Sequence, residues 1–187
     1  MKGSTPVFSL AYLRTAPIIC MTIIETNRLL LRQFNEQDTA FIVELLNSPG
    51  WLEFIGDRNI KTENDARNYL VNGPMKSYTE NGFGLSMVEL KETATPIGMC
   101  GLIKRTTLEH VDIGFAFLPG YAGQGYAYEI ASATLDYAFK TIGLDKVLAI
   151  TVVNNEPSIR LLKKIGLRFE KMVQFENEEL MLFGINC

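Results

Sequence analysis

The chain has 187 residues, of which 47% are hydrophobic and 21% are charged, and its formal net charge at pH 7 is −3. This length favours one domain, and the composition is that of an ordinary globular protein with a full core. The small negative charge and the lack of a long basic run argue against a nucleic-acid partner. The three cysteines, Cys20, Cys100 and Cys187, are too widely spaced for a disulfide framework or a metal site. We therefore expect free thiols and no metal.

The first twenty residues form a short leader with little structural signal. Its apolar run, Val7–Leu13, falls well short of the roughly 20 apolar residues that a membrane helix needs, and no clear signal-peptide cleavage site follows. We therefore expect no membrane association and a cytoplasmic location. We treat residues 1–21 as an N-terminal extension, with Met21 as the hypothesised natural start, and residues 22–187 as one domain.

In chain order, the first half of the domain is predicted to contain a strand, helices and a hairpin. The alternating run Thr22–Gln33 predicts the strand. The segment Asn35-Glu36-Gln37-Asp38 resembles a capped start and predicts a helix that stops at Ser48-Pro49-Gly50. The next segment, Trp51–Ile60, is predicted to be a loop. The remaining predicted elements are a helix over Glu63–Val71 stopped by Asn72-Gly73-Pro74, a short helix over Met75–Thr79, and hairpin strands over Gly82–Leu90 and Pro96–Lys104.

The second half alternates strands with helices and ends in a hairpin. Glycines follow both predicted helices, as helix C-caps commonly do. The predicted elements are strand Val111–Leu118, helix Gln124–Ile142 closed by Gly143, strand Lys146–Val153, helix Pro157–Ile165 closed by Gly166, and strands Leu167–Phe175 and Glu179–Ile185 joined by Glu176-Asn177-Glu178. The order of the main elements is βααβββαβαββ, which indicates a mixed α/β domain.

The most informative segment is the junction between strand Val111–Leu118 and the helix that follows it. A loop of small residues, Ala122–Ala127, connects the two. The first N–H groups of a helix have no intrahelical partner, and the helix dipole favours an anion there, so the junction predicts a phosphate site. No Lys-Ser/Thr follows the glycines, and Tyr128 replaces the third glycine of a dinucleotide fingerprint. Both facts argue against a nucleoside triphosphatase and a Rossmann domain.

Four segments in order resemble the GNAT superfamily of acetyl-CoA-dependent N-acetyltransferases, and within it the RimJ/RimL-like branch of ribosomal-protein alanine acetyltransferases. They are Thr26–Arg32, Pro96–Ile103, Ala122–Glu129 and Asn155–Leu167. The family motif Arg/Gln-x-x-Gly-x-Gly/Ala matches except at its first position, which is Ala122. The resemblance covers about residues 22–186. It implies the GNAT fold, a mixed and twisted central sheet with helices on both faces.

The resemblance also implies a site for acetyl-CoA, which would be a co-substrate. Its pyrophosphate would lie over the loop and helix start, and its pantetheine arm would pair with the central strand near Phe115 and Phe117. The N–H of Phe117 would polarise the thioester carbonyl. Asn155 would bind the pantetheine, and the Ser158 hydroxyl would lie near the sulfur as proton donor. Leu162 stands where many family members have Tyr, so the thiolate depends on Ser158, or on a water molecule or a backbone dipole. The pyrophosphate-binding residues would be Gly123, Gln124, Gly125, Tyr126 and Ala127.

Several of these residues also have simpler structural roles. Asn155 and Ser158 are good helix-capping residues, and a carboxylate at Glu129 suits a helix N-terminus without any catalytic role. Asp112 and Glu109 lie on opposite faces near the start of the central strand, and His110 shares the face of Asp112. Each of the three is a candidate for the general base or is a solvated charge at the strand end. The aromatic side chains of Trp51, Phe54 and Tyr78 line the acceptor site or belong to the core.

Two classes of function fit the sequence. The first is an N-acetyltransferase acting on a primary amine, either a protein N-terminus or a small amine such as a polyamine, an amino acid or an antibiotic. The second is a GNAT-fold protein that binds acetyl-CoA without catalysis, as a sensor or interaction module. The apolar segment Leu180–Phe183 is either core or a dimer edge, so the chain is a monomer or a homodimer.

Overall fold

The computed structural model describes residues 21–175 and 178–187. The hypothesis about residues 1–20, the state of Cys20 and the turn at Glu176-Asn177 lie outside these ranges. No helix in the described ranges is long and apolar enough to span a membrane. Cys100 is buried and Cys187 is exposed, and both are free thiols.

The fold is built on one eight-stranded sheet with the order β1-β2-β3-β4-β5-β6-β8-β7. All neighbouring strands are antiparallel except β5 and β6, which are parallel. The strands are β1 (Thr22–Glu25), β2 (Leu29–Arg32), β3 (Leu85–Leu90), β4 (Thr95–Ile103), β5 (Asp112–Phe117), β6 (Lys146–Thr151), β7 (Arg168–Phe175) and β8 (Glu178–Asn186).

Helices cover both faces of the sheet. They are α1 (Thr39–Leu46), α2 (Pro49–Phe54), α3 (Glu63–Leu70), α4 (Lys76–Asn81), α5 (Tyr126–Tyr137) and α6 (Glu156–Lys164), with π-helical segments at Val71–Met75 and Ala138–Ile142 and a 3₁₀ turn at Pro119–Tyr121. The alternation of each strand divides the core in two. Val88 and Cys100 pack with α5 on one face, whereas Met87 and Met99 pack with α1 and α3 on the other. The predicted GNAT architecture is confirmed.

The segment Thr22–Gln33, predicted as one strand, is instead a hairpin of β1 and β2. A tight turn at residues 26–28 separates them. Leu29 donates its backbone N–H to the Thr26 hydroxyl (3.0 Å), and the Thr26 backbone N–H donates to the Leu29 carbonyl (2.9 Å). The alternating pattern continues through both strands, so it does not reveal the turn.

The predicted loop Trp51–Ile60 is wrong at its start, because α2 occupies Pro49–Phe54. Pro49 lies at the first turn of this helix, where its missing N–H costs nothing and its fixed φ suits the helix. Trp51 is only 6% exposed and packs in the core with α1 and α3. The first helix therefore stops where predicted, and Pro49 also starts the next helix.

The predicted break at Asn72-Gly73-Pro74 is also wrong. Helical structure continues from α3 through the π-helical segment Val71–Met75 into α4. Pro74 cannot donate a backbone hydrogen bond, and the wider π turn accommodates it without ending the helix. Asn72 donates its side-chain amide to the Asn68 carbonyl (2.9 Å) within this helical run. The helical run ends at Gly82, whose φ is +78°.

The C-terminal hairpin belongs to the core of the chain. Leu180, Leu182 and Phe183 are all less than 9% exposed, and Phe183 packs with residues of α5 and α6. The apolar segment Leu180–Phe183 is therefore explained by internal packing.

A partly buried ion network joins β2, β3 and the start of α1. The guanidinium of Arg32 donates to Asp38 (2.8 and 2.9 Å) and to Glu89 (2.7 and 2.9 Å), and all three side chains are at most 13% exposed. Burial alone would lower the pKa of Arg32, but the hydrogen bonds to both carboxylates raise it above its ordinary value. Arg32 is therefore charged at any physiological pH.

We predict that Arg32→Met lowers the free energy of unfolding by about 3–5 kcal/mol, because it leaves Asp38 and Glu89 buried without a counter-charge. Urea unfolding followed by circular dichroism measures this loss. Lys140→Met is the control, since it removes only an exposed ion pair with Asp136. Equal midpoints for Arg32→Met and Lys140→Met would contradict the prediction.

Candidate active site

A wedge opens in the sheet between β5 and β6. The two parallel strands pair only at Asp112 and Leu148, where Leu148 donates its N–H to the Val111 carbonyl (2.9 Å), and no further pairing joins them in the part of the chain described. On its other side, β5 pairs with β4 along its whole length. Asp112 therefore lies at the closed end of the wedge, and the strand ends that follow it lie at the open end.

The backbone N–H and C=O groups of alternate residues in β5 point into the wedge. Val111 bonds toward β6, and Leu118 donates its N–H to Ile97 of β4 (2.9 Å). Successive residues of a strand direct their N–H and C=O groups to opposite neighbours. Phe115 and Phe117 lie an even number of residues after Val111, so their N–H and C=O groups point toward the gap beside β6. These are the two residues that the sequence predicts at the pantetheine arm.

A cavity of about 1290 Å³ fills the wedge and extends beyond it. Its walls come from β5, β6, the loop before α5, the first turns of α5 and α6, and the segment from α2 to α3. The predicted site residues that line it are Asp112, Phe115, Phe117, Gly123, Gly125, Tyr126, Ala127, Asn155 and Ser158. Residues from both halves of the chain thus meet at one cavity.

The loop before α5 needs two glycines for its shape. Gly123 and Gly125 have φ values of +74° and +81°, in the left-handed region that side chains disfavour. Gly125 is the N-cap of α5, and Glu129 donates the first helical hydrogen bond to its carbonyl (3.1 Å). The N–H groups of the first turn therefore have no intrahelical acceptor. Gln124 does not line the cavity, because its side chain donates to the Gly120 carbonyl (2.8 Å).

Arg28 supports this loop from the side of β2, a role that the sequence does not reveal. Its Nε donates to Glu129 (2.7 Å), its Nη1 donates to the Gln124 carbonyl (3.1 Å), and its guanidinium lies 4.4 Å from the centre of the Tyr126 ring. Partial burial raises the pKa of Glu129, but bonds from Thr26 and Arg28 outweigh it and hold the pKa below its usual value. Glu129 is therefore an anionic anchor for Arg28.

The segment before α6 performs the capping role expected of it. Asn155 is the N-cap, and its Oδ1 accepts the Ser158 N–H (3.1 Å). This bond leaves the Asn155 side-chain amide and the Ser158 hydroxyl without a hydrogen-bond partner among the residues described. Leu162 is buried (1% exposed) and packs in the core. Capping and ligand contact are thus compatible at Asn155, since they use different atoms.

Asp112 is the buried carboxylate of the cavity. It is 1% exposed, and Arg105 donates its Nε to both carboxylate oxygens (2.9 and 3.1 Å). Burial raises the pKa of Asp112 to about 6, although the bonded Arg105 guanidinium lowers it in part. A carboxyl group with a pKa near neutrality is suited to exchange protons at physiological pH.

Glu109 and His110 are not at this cavity. Glu109 is exposed in the loop before β5. The His110 Nδ1 lies 3.9 Å from the Asp145 Oδ1, and neither of these residues lines the cavity. The strand itself begins at Asp112, one residue later than predicted. The structure therefore brings one of the two predicted carboxylates to the cavity and leaves the other outside it.

The aromatic residues divide between the cavity and the core. Trp51 and Phe54 line the cavity beyond the wedge, as does Tyr69, which the sequence analysis did not single out. Tyr78 is structural, since its hydroxyl donates to the Leu85 carbonyl (2.5 Å) and accepts the Phe34 N–H (3.0 Å). The amphipathic pattern of α3 contains Tyr69 but does not indicate that it faces a cavity.

Comparison with known proteins identifies the family. A model of the acetyltransferase (GNAT) domain matches residues 28–168. The chain belongs to the GNAT acetyltransferases. YnaD of Bacillus subtilis, which is named an uncharacterized N-acetyltransferase, is 33% identical over 159 residues, which are 83% of this chain and 90% of YnaD. This GNAT chain is therefore an enzyme of the class that transfers an acetyl group to an amine.

Solved GNAT structures share the fold. An acetyltransferase of the GNAT family from Bacillus anthracis superposes with a TM-score of 0.72 and 29% identity, covering 87% of this chain and 97% of that one. RimL, a ribosomal L7/L12 α-N-protein acetyltransferase solved with coenzyme A, gives a TM-score of 0.75 at 13% identity, with 89% and 98% covered. At that identity, the likeness to RimL concerns the fold alone.

We predict that Arg28→Met loosens the first turn of α5, because Gln124 and Glu129 lose their common donor. The backbone amides of Glu129 and Ile130 should exchange with solvent about tenfold faster, the effect of losing one charge-assisted hydrogen bond. Hydrogen exchange measured by mass spectrometry reports the change. Lys91→Met is the matched control, since it removes an ion pair with Glu25 beside the same hairpin. Unchanged exchange in Arg28→Met would contradict a supporting role.

Proposed function

We propose that the protein transfers the acetyl group of acetyl-CoA to the primary amine of a small molecule or a protein N-terminus, by direct attack within a ternary complex. The observation that carries this proposal is the wedge between β5 and β6, with unpaired strand groups along one wall and the unbonded N–H groups of α5 at its open end. The names of the relatives as N-acetyltransferases do not favour the alternative of a non-catalytic sensor.

The residues present fit the chemistry of coenzyme A. A pyrophosphate suits the N–H groups of residues 123–127, which combine left-handed glycines with the positive end of the α5 dipole. Pantetheine contains amides and suits the free N–H and C=O groups of Phe115 and Phe117, as a peptide strand would. Asn155 offers its side-chain amide from the opposite wall. Bound in this way, acetyl-CoA supplies the thioester that the reaction consumes.

The thioester then lies toward the closed end of the wedge, near Asp112. The amine nitrogen attacks the thioester carbonyl carbon, and a free N–H of the β5 edge stabilises the oxygen that gains charge. Asp112 accepts the proton that the amine loses, directly or through one water molecule. The carbon–sulfur bond breaks, and the Ser158 hydroxyl gives a proton to the thiolate. Ser158 then recovers a proton from solvent, and the products are the N-acetylated amine and coenzyme A.

The choice of Asp112 over Glu109 as the base follows from position. Asp112 lines the cavity, whereas Glu109 is exposed elsewhere. The Asp112 pKa of about 6 also keeps it mostly ionised at neutral pH while leaving it basic enough to accept a proton. Its bond to Arg105 fixes the orientation of the carboxylate.

We predict that Gly125→Glu weakens acetyl-CoA binding by at least about 100-fold, because a carboxylate and added bulk would occupy the pyrophosphate position. Isothermal titration measures the affinity. Gly143→Glu is a matched control: Gly143 has a similar φ of +80° and no atom near its Cβ position, and it lies at the far end of the same helical run. Equal losses in the two variants would point to backbone strain and contradict the assigned site.

We predict that kcat/KM rises with pH through about 6, because Asp112 must be ionised to accept a proton and is protonated below its pKa. Asp112→Asn should lower kcat by about 10²–10⁴-fold and remove this limb, while acetyl-CoA affinity stays unchanged. Initial rates of coenzyme A release across pH 5–8 report both effects. Glu109→Gln should behave as the wild type. A pH profile that Asp112→Asn leaves intact would refute the assignment.

A further inference from the structure

The part of the cavity beyond the wedge contains two arginines whose donors are largely unused. Arg105 donates its Nε N–H to Asp112. Its two Nη groups have no hydrogen-bond partner among the residues described. Arg58 also lines the cavity and forms no ion pair in the same ranges. A guanidinium has five N–H donors in a fork that matches a carboxylate, so these two side chains leave most of their donors available.

Tyr69 adds a third donor to this cluster. It lines the cavity, and its hydroxyl has no hydrogen-bond partner within residues 21–175 and 178–187. Burial raises the pKa of Tyr69 above its ordinary value, and both Arg58 and Arg105 oppose that rise. The phenol therefore lies within the electrostatic reach of both guanidinium groups and keeps its proton, which makes it a hydrogen-bond donor.

The carboxylates that line this part of the cavity do not accept hydrogen bonds from the free donors of the cluster. Asp112 is bonded to Arg105 through Nε, which leaves the Nη groups free. Asp65 accepts from the N–H and hydroxyl of Thr62 as part of the α3 cap. Glu178 is exposed and forms no ion pair with either arginine in the described structure. The available donors thus exceed the available acceptors.

We infer that the acceptor carries a carboxylate close to its reacting amine, and that Arg58, Arg105 and Tyr69 bind this carboxylate. The inference rests on the proposed function. Arg105 lies between the two parts of the acceptor: its Nε side holds the base Asp112, and its Nη side meets the anion. An amine near Asp112 and a carboxylate near Nη are then only a few bonds apart. Such an arrangement occurs in a free α-amino acid and in a peptide whose first residue is Asp or Glu.

Apolar surface around the cluster suits the rest of such a molecule. Trp51, Phe54 and Phe175 line the same part of the cavity, and the Arg105 guanidinium lies 5.5 Å from the centre of the Phe175 ring. An arginine held against an aromatic face is pre-organised, and it loses less freedom when it binds an anion. A polyamine has no anion that could accept from Arg58 or from the Nη groups of Arg105, and it would bring further positive charge beside them.

Matched acceptor pairs test the inference. The probes are L-phenylalanine, L-methionine and L-glutamate, each beside its α-amide, and the dipeptides Asp-Ala and Asn-Ala. Binding to the coenzyme A complex is measured by titration, and transfer is measured by coenzyme A release. We expect at least one acid to exceed its amide by about tenfold or more in both. A preference among the free amino acids identifies an α-carboxylate, and a preference for Asp-Ala alone identifies an acidic first residue.

Variants connect the preference to the cluster. Arg58→Met and Tyr69→Phe should each reduce kcat/KM for the preferred acid by about tenfold and leave its amide within about twofold. Arg58→Lys should lie in between, since it keeps the charge and loses the fork. Arg67→Met is the control, because Arg67 pairs with Glu36 and does not line the cavity.

The outcomes separate the inference from the proposed function. Three results would each overturn the inference. They are amides that bind and react as well as their acids or better, no binding of any probe, and equal losses of kcat/KM for acid and amide in Arg58→Met. Preferential binding of the acids without any acetyl transfer would overturn the proposed function and leave the inference standing. Acetyl-CoA affinity, measured in every variant, should stay at the wild-type value, and this confirms that each variant is folded.

Discussion

The separation of β5 and β6 is the constraint on which the rest of the site depends. Two parallel strands that pair only at Asp112 and Leu148 leave strand groups of β5 unpaired, and buried backbone groups need partners. A ligand that contains amides supplies them, as an added strand would. The separation also sets the two ends of the cavity, with the N-terminus of α5 at one end and Asp112 at the other. Packing elsewhere holds this shape: β4 fixes β5, and β8 fixes β6.

Local sequence signals predicted most of the fold, and they failed at the turn between β1 and β2 and in part at two prolines. Strands β3 to β8, α5 and the Gly143 that ends its helical run follow from hydrophobic pattern and capping residues. Pro49 was correctly interpreted as the stop of the first helix but not as the start of α2, and Pro74 was wrongly interpreted as a break. Whether a proline stops, starts or bends a helix depends on what packs around it in the folded chain. Pro74 is buried, and Trp51 of α2 packs in the core with α1 and α3. A single-sequence pattern contains neither fact.

The candidate site was predictable where one short segment forms it. Gly123 and Gly125 lie in a strand–loop–helix whose chemistry is visible locally. Arg28 and Glu129 are 101 residues apart in sequence, and only the order of the strands brings them together. Tyr69 of α3 likewise reaches the cavity only through the fold, and no local pattern marks it. Asn155 and Ser158 also lie on another element, and they were predicted because the family resemblance places their segment beside the cofactor.

A crystal structure of the protein with coenzyme A would show directly whether the wedge between β5 and β6 holds the cofactor. We expect the pyrophosphate oxygens within about 3 Å of the N–H groups of residues 123–127, a normal hydrogen-bond distance. We also expect pantetheine to run along Phe115 and Phe117, with its sulfur between Ser158 and Asp112. Coenzyme A bound outside the wedge, or a sulfur directed away from Asp112, would refute this placement.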